Sequence, residues 1–275
     1  MIRVFCLLIG LVLAAPVYSQ DLLSDPEAEE RFRSQTKQIN QFFRRFNGEE
    51  DVEGNRYYEG NKDYRDHKLR QQYISILFDE SNGGISSDLK KDFIKSVTDK
   101  KEPSLLDFHK KEWFAEVNTT FRYKGKQESI TLYMIIQPQR KGYEWVISDV
   151  LYKRFSDKFE KDTTDSKGFL HPMSHELDFM NLRKALNREN NPEAYTPEQY
   201  EPDFLTLFIY EMKLGNLSFE TVTNVKFHFF QIDGWYFELS NFNRPGYNTG
   251  WLISNLVSVK GDQKDMLKNY IYGKR

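Results

Sequence analysis

Trp145-Val146-Ile147-Ser148 returns near the C-terminus as Trp251-Leu252-Ile253-Ser254. The similarity continues upstream, where Val117 to Phe121 corresponds to Val225 to Phe229. Each copy has the alternation and the turn residues of three strands separated by loops. Self-similarity at a period of roughly a hundred residues is too long for a solenoid repeat, so it indicates two copies of one small domain.

The first copy follows a helical region. Helical spacing of apolar residues, with capping residues ahead of it, predicts one helix from Ser24 to Asn47, another over Tyr64 to Asp79 and a third that begins at Ser86 or Ser87. Period-two alternation then predicts three strands, over 113–123, 130–137 and 143–152.

The second copy begins with a shorter and proline-broken helical part. Ser174 is placed to cap a helix that carries Phe179, Leu182 and Leu186. A further helix over Asp203 to Leu214 is apolar nearly all round, so we expect it to be the most buried helix of the protein. Three strands follow, predicted over 219–232, 235–242 and 251–260.

Helices that precede antiparallel strands indicate an α+β fold, here two tandem small domains, each with helices packed on a curved antiparallel sheet. Residues 156–168 are charged and poor in apolar side chains, which is typical of a linker. The predicted organisation is a signal peptide (1–19), a first α+β domain (20–155), the linker (156–168) and a second α+β domain (169–275).

This element order, with a final Trp-apolar-Ile-Ser strand, resembles the cystatin-like, nuclear-transport-factor-like α+β cone superfamily. The resemblance covers about Arg31 to Lys153 and, less fully, Pro172 to Val259. It implies that each domain wraps a bent sheet around a helix and can leave an apolar pocket at the open end. The superfamily includes isomerases, dehydratases and binding modules without catalysis, so the resemblance implies no particular reaction.

The N-terminus has the pattern of a secretory signal peptide. Arg3 precedes the apolar run Val4 to Ala15, and small residues lead to a predicted cleavage after Ser19. The run is too short to span a bilayer and also contains Cys6, the only cysteine, so the mature chain would carry no thiol. We expect an extracytoplasmic protein, periplasmic or secreted, and a cysteine-free chain of this size favours a bacterial source.

Charge and composition exclude some partners and leave others open. The net charge is −2 and basic residues are interspersed with acidic ones, which argues against nucleic acid as a partner. No segment after the signal peptide is apolar enough to span a membrane. Aromatic residues make up 15% of the chain, which favours ring-filled cores and leaves open a pocket for a small apolar or glycan ligand.

Histidines and carboxylates give no convergent catalytic or metal-binding motif. His171, His175 and Glu176 lie close in sequence, but their spacing differs from the His-Glu-x-x-His pattern of zinc proteases. The chain contains no Gly-x-Ser-x-Gly elbow. The remaining histidines are scattered, namely His67, His109 and His228, and strand alternation predicts that His228 is exposed to solvent. We therefore predict no catalytic residue, no metal ligand and no cofactor.

An isomerase-type cone would need a carboxylate base beside a tyrosine. Asp149 with Tyr143 or Tyr133 is the available set, and strand parity places Asp149 on the face of Tyr143 and Trp145. The second copy has Asn255 at the matching position, so an aspartate that closes an edge strand is the simpler interpretation. Two tyrosine clusters either contact a partner or cover the sheet and the C-terminal tail, Tyr57-Tyr58 and Tyr270-Ile271-Tyr272.

The preferred hypothesis from sequence is a non-enzymatic, secreted or periplasmic binding or assembly module. Its partner would be a protein or a small apolar or glycan ligand, and the sequence assigns no ligand-binding residues. The alternative is an enzyme or small-ligand binder with an apolar pocket in the first cone-like domain. A carboxylate buried beside a tyrosine within a cavity would favour the alternative.

Overall fold

The computed structural model describes residues 38–140, 142–159, 192–197, 199–246 and 248–274. These residues form an α+β structure with one antiparallel sheet, as the element order predicts. The helices are α1 (Ile39–Asn47), α2 (His67–Ile76), α3 (Ser87–Val97), α4 (Lys153–Lys158), α5 (Phe204–Lys213) and α6 (Gln263–Ile271), with a short 3₁₀ turn at Pro192–Tyr195. The strands are β1 (Trp113–Tyr123), β2 (Lys126–Gln139), β3 (Gly142–Leu151), β4 (Leu217–Phe229), β5 (Trp235–Phe242) and β6 (Gly250–Ser258).

The strands of both copies belong to one six-stranded sheet with the order β3-β2-β1-β4-β5-β6. The first strand of each copy meets the other at the centre, because β1 pairs with β4 antiparallel. Val117 and Val225, which begin the two matched segments, are direct partners in this register. A pseudo-two-fold axis therefore passes close to this pair and relates the two strand meanders. The division into two domains stays a prediction.

The helices of the first copy pack on the strands of the second copy. We call the face that carries Phe227, Phe229 and Phe237 the inner face of the sheet. Phe42 in α1 lies 6.2 Å from Phe229 and 6.3 Å from Phe237, measured between ring centroids. The segment after α2 joins the edge strand β6 directly, since the amide of Ile253 donates to the carbonyl of Leu77 at 2.8 Å.

Helix α5, in the second copy, packs on the strands of the first. Its Phe208 ring lies 5.4 Å from the ring of Phe121 in β1. The expectation that α5 is the most buried helix is wrong for the described part of the chain, because Phe208 is its only buried residue. One side of the helix covers the sheet, whereas Ile209, Tyr210 and Met212 are exposed. Apolar composition all round a helix therefore does not establish burial all round it.

Strong curvature brings the two sheet edges towards each other across the inner face. Trp145 on edge strand β3 lies 6.0 Å from the ring of Phe227, and Trp251 on edge strand β6 lies 4.7 Å from the same ring. The repeated tryptophans thus close over one central phenylalanine. Both are only partly covered, with Trp145 37% exposed.

Helix α1 ends where the sequence predicts, at Asn47, with Gly48 in the left-handed conformation (φ 73°). A side chain at Gly48 would place its Cβ 2.5 Å from Cγ of Arg70. Arg70 is buried there and donates to the carbonyls of Phe46 and Ser104, at 3.1 and 2.7 Å. Burial lowers the pKa of Arg70 to about 10, which leaves the guanidinium protonated at neutral pH. The helix predicted from Ser24 lies outside the described residues before Gln38.

The outer face of the sheet, which carries Phe114, Tyr133 and Tyr236, is partly covered by α6. Leu267, Ile271 and Tyr272 pack against these residues to form a second apolar cluster. The hydroxyl of Tyr133 donates to the carbonyl of Ile271 and so ties the end of α6 to the sheet. Of the predicted linker, the first three residues complete α4, and the part after Phe159 lies outside the described residues.

Phe237→Ala tests the shared core. Phe237 is fully buried and touches rings of α1 and α3, so we expect the free energy of unfolding to fall by about 3–5 kcal/mol. Tyr270→Ala is the control, because Tyr270 is 80% exposed and its removal should change stability by less than about 0.5 kcal/mol. Urea denaturation followed by tryptophan fluorescence measures both. Equal effects of the two changes would contradict the packing of α1 and α3 on the second copy.

Separating the copies tests whether they are independent. We expect fragments 1–159 and 192–275 to lack a cooperative unfolding transition when expressed alone, because each loses the strands that its helices cover. Mixing and refolding the two fragments should restore a single transition with one midpoint. Cooperative unfolding of fragment 1–159 by itself would instead support two independent domains.

Candidate functional site

The outer face carries a cluster of three hydrogen-bonded titratable groups, Glu116, His228 and Tyr236. Nε2 of His228 lies 2.9 Å from Oε2 of Glu116, and Nδ1 lies 2.8 Å from the hydroxyl of Tyr236. The second carboxylate oxygen of Glu116 accepts from the side-chain amide of Asn118 at 3.1 Å. The three groups therefore form a continuous chain of hydrogen bonds, which we call the Glu-His-Tyr cluster.

Three central strands position this cluster. Glu116 lies in β1, where its register partner on β4 is Lys226, and His228 follows two residues later on the same face. Tyr236 projects from β5 onto the same face. The expectation that His228 is exposed is wrong, since the residue is only 2% exposed. Alternation correctly separates His228 from Phe227 and Phe229, but it carries no information on whether a distant helix covers the outer face.

A hydrogen bond sets the protonation of Glu116, and burial sets that of Tyr236. The pKa of Glu116 is lowered, mainly by the hydrogen bond that its carboxylate accepts from His228. The carboxylate is therefore ionised at neutral pH. Burial raises the pKa of Tyr236, so its phenol keeps its proton. With a neutral imidazole, Tyr236 donates to Nδ1 and Nε2 donates to Glu116.

The position of the cluster does not suit catalysis on an external substrate. Tyr236 is 2% exposed and belongs to the apolar cluster on which α6 packs. The ring of His228 stacks on Phe114 at 4.9 Å, and Phe114 in turn contacts Tyr272 at 4.8 Å. A substrate would have to displace the C-terminal helix to reach the phenol or the imidazole. The cluster therefore joins β1, β4 and β5 under α6.

Glu116→Gln tests this assignment through pH dependence. The pKa of Glu116 is lowered by folding, so its contribution to stability is present above the unfolded value of about 4.3 and is lost as the pH falls through the folded value. We expect the variant to be less stable by about 1 kcal/mol at pH 7 and to approach the wild type near pH 3.

The control for this measurement is Glu102→Gln at an exposed site, which should match the wild type throughout. Urea unfolding at several pH values compares the three proteins. A constant difference between Glu116→Gln and the wild type from pH 7 to pH 3 would rule out the ionised carboxylate as its source.

Asp149 lies on the outer face, opposite to the predicted one. The pairing of β2 with β3 shifts between Tyr133 and Met134, which face Asp149 and Ile147 and leave Ser148 as a bulge. Asp149 is thereby separated from Tyr143 and Trp145 and faces Tyr133. The prediction from strand parity fails because one inserted residue, Ser148, reverses the alternation of side chains between the two faces of the sheet.

The same bulge occurs in the second copy at Ser254, between the partners of Glu238 and Leu239. In each copy the serine hydroxyl donates to a carbonyl of the neighbouring strand, Ser148 to Tyr133 at 3.1 Å and Ser254 to Glu238 at 3.3 Å. The repeated Trp-x-Ile-Ser stretch thus encodes a bulged edge strand.

Asp149 lines a groove of about 880 Å³ between β3, α4, the start of α5 and the C-terminal residues. Its carboxylate pairs with Nζ of Lys274 at 2.7 Å. Tyr272 lies in the same wall, and burial raises its pKa to about 12. The hydroxyl of Tyr133 is already bonded to Ile271. The base and the tyrosine considered from sequence are therefore both engaged by the C-terminal segment.

The other sequence candidates do not converge in the described residues. His171, His175 and Glu176 lie outside them. His109 stacks on the exposed Tyr143 at 4.1 Å, and the hydroxyls of Tyr57 and Tyr73 lie 3.1 Å apart. Among the residues that the structure describes, no three His, Cys, Asp or Glu side chains are arranged to hold a metal ion. Tyr272 packs on the sheet, whereas Tyr58 and Tyr270 are exposed.

Helix α5 and the first part of β4 expose several large apolar side chains. We call this the α5–β4 surface, and its members are Ile209, Tyr210, Met212, Leu214, Phe219 and Val222. The helix and strand are adjacent, because Phe121 touches both Phe208 and Phe219, at 5.4 and 5.5 Å. The predicted strand lengths already contained a signal for this surface, since β4 is much longer than its hairpin partner β5.

Comparisons of the chain with protein-family models, curated proteins and solved structures found no match. Within the described residues, no helix has the length and apolar character needed to cross a bilayer. Function must therefore be argued from the geometry of the chain itself.

Proposed function

We propose that the protein is a non-enzymatic binding or assembly module that docks a protein partner through the α5–β4 surface. The observation that carries this proposal is the exposure of Phe219 and Val222, 53% and 47%, beside the exposed side of α5. Large apolar side chains exposed on neighbouring elements of a folded protein commonly mark an interaction site. Aromatic residues and methionine, both present here, are enriched in such interfaces.

The internal use of the polar groups supports a binding role over catalysis. In the described part of the chain, every buried side-chain nitrogen and oxygen has a hydrogen-bond partner. The members of the Glu-His-Tyr cluster are bonded to one another, and Asp149 is paired with Lys274. These groups are committed to holding the sheet and its C-terminal helix. The α5–β4 surface is exposed instead.

The remaining elements of the proposal come from the sequence. We place the protein outside the cytoplasm, in the periplasm or secreted, on the strength of its signal-peptide pattern. We also propose that the chain consists of two tandem copies of a small α+β domain similar to the cystatin-like and nuclear-transport-factor-like cones. The curvature that brings Trp145 and Trp251 to Phe227 is in keeping with a cone-like sheet.

A small-ligand binder is the second candidate, and the groove beside Asp149 is the observation that favours it. Its wall combines the Asp149–Lys274 ion pair with the apolar side chains of Leu151 and Phe204. This combination would suit a small polar molecule with an apolar part. In this alternative a bound ligand would cover the groove beside Asp149, whereas in the leading proposal the partner would cover the α5–β4 surface.

Site-specific photo-crosslinking tests the leading proposal in the organism that produces the protein. A photoreactive phenylalanine analogue at Phe219 should yield an adduct of defined mass, whereas the same analogue at Tyr270, on α6, should not. Adding Val222→Lys to the Phe219 probe should abolish the adduct, because a charge would be buried in the interface.

The stability of Val222→Lys should stay within about 0.5 kcal/mol of the wild type, since the side chain is largely exposed. Urea unfolding of the purified variant provides this check. Equal adducts at Phe219 and Tyr270, or an adduct that survives Val222→Lys, would refute the assignment of the surface.

A further inference from the structure

The outer edge of β4 is only partly used. Lys226–Phe229 pair with β5, whereas Leu217–Val225 pair with β1 on one side and with no strand of the described chain on the other. In the first copy, by contrast, β2 pairs with β1 over nearly its whole length, from Ala115 to Tyr123. An edge of this kind presents unpaired backbone donors and acceptors, which accept an added strand.

The edge lacks the basic and proline residues that often oppose strand addition. Its sequence from Leu217 to Val225 contains no lysine, arginine or proline. Glu220 is its one charged residue, and this carboxylate is held by Arg122 and by Gln127 within the protein's own sheet. Thr221, Val222 and Thr223 are β-branched and exposed, which favours an extended partner alongside them.

Two bulges define the shape of this edge. Register shifts in the β1–β4 pairing leave Thr223 and Glu220 without an opposite residue in the β1 register, although their side chains bond to Asn118 and Arg122. As a result Phe219 and Val222, three residues apart, lie on the same inner face, beside Phe121 and Thr119 respectively. Bulges increase the local twist, so an added strand would pair over a short stretch and meet both apolar side chains.

We infer that the occupant of this edge is a second copy of the chain, whose β4 adds antiparallel across a two-fold axis. Two identical antiparallel strands are self-complementary, so each copy offers the same edge and the same Phe219 and Val222. In the two-fold contact, Glu220 of one copy would lie near Glu220 of the other. The two carboxylates would not repel each other strongly, because each is paired with Arg122 of its own chain. This inference rests on the proposed function, and it names the partner at the α5–β4 surface.

The molecule itself contains a precedent for this arrangement. Within one chain, β1 and β4 are equivalent strands of the two copies, and they pair antiparallel about the axis near Val117 and Val225. The proposed contact repeats this relation on the other edge of β4. It would make the sheet continuous from one copy to the next and bring the apolar side chains of the two α5–β4 surfaces together.

Sedimentation equilibrium of the full chain tests the inference. We expect a reversible dimer whose dissociation constant rises at least about tenfold in Val222→Lys, because lysine at an edge strand opposes pairing. Tyr270→Lys, on the outer side of α6, is the matched control and should leave the dissociation constant unchanged. A monomeric wild type at high micromolar concentration overturns the inference, as does a dimer that Val222→Lys leaves intact.

Disulfide trapping provides an independent measurement. In a Cys6→Ser background the chain has no cysteine, so a single cysteine at 221, 222 or 223 can pair only with its copy. Under mild oxidation we expect at least one of these variants to form a covalent dimer, and a cysteine at Tyr270 to stay monomeric.

The outcomes separate this inference from the proposed function. A monomer that still gives the Phe219 adduct with a different protein in its own cells would refute the second copy and retain the binding role. Cysteines at 221–223 that react with neither a second copy nor a maleimide would show that the edge is covered within the chain. Such a result would overturn both proposals.

Discussion

The antiparallel pairing of β1 with β4 is the interaction on which the rest of the structure depends. It places the two strand meanders in one sheet and puts Val117 opposite Val225 near a pseudo-two-fold axis. Once the strands are joined in this way, the inner faces of both copies are continuous. The helices of each copy can then cover the strands of the other, as Phe42 covers Phe237 and Phe208 covers Phe121. The hydrophobic core is accordingly shared, and its burial stabilises both copies together.

The two faces of this sheet are stabilised in different ways. Stacked rings fill the inner face, where Phe229 and Phe237 lie 4.7 Å apart and nearly parallel. Such pairs add to the free energy gained by burial. The outer face instead buries polar groups, which is favourable only when each is hydrogen-bonded. Glu116, His228 and Tyr236 meet this condition through one another, and α6 packs on the apolar cluster to which Tyr236 belongs. These hydrogen bonds join β1, β4 and β5 within the sheet, so the three groups contribute to its stability.

The Trp-x-Ile-Ser stretch illustrates how a short motif can encode tertiary geometry. Tryptophan and isoleucine lie on the inner face, and the bulged serine sends the next residue, Asp149 or Asn255, to the outer face. Bulges at both edge strands increase the twist of the sheet where it curves over Phe227. At Asp149 the bulge creates the ion pair with Lys274, which joins the first copy to the C-terminal segment. The second copy has the neutral Asn255 at the position of Asp149. Lys274 pairs with Asp149 and so provides a cationic partner at only one of the two positions.

The sequence by itself determined the α+β class, the strand order within each copy and most element boundaries, because these follow from local periodicity and from turn and capping residues. Ser86, one of the two predicted caps, caps α3, the predicted start of α5 at Asp203 is its cap, and Gly48 ends α1. Only the tertiary structure decided which strands of the two copies meet, which helices cover them and which faces are buried. His228 and Asp149 were misplaced for this reason. The first is buried between Phe114 and Tyr236 of the neighbouring strands, and the second is turned to the other face by a single extra residue in the ladder. Burial and strand register depend on residues that are distant in sequence, and these residues cannot be identified from the local pattern of apolar and polar side chains.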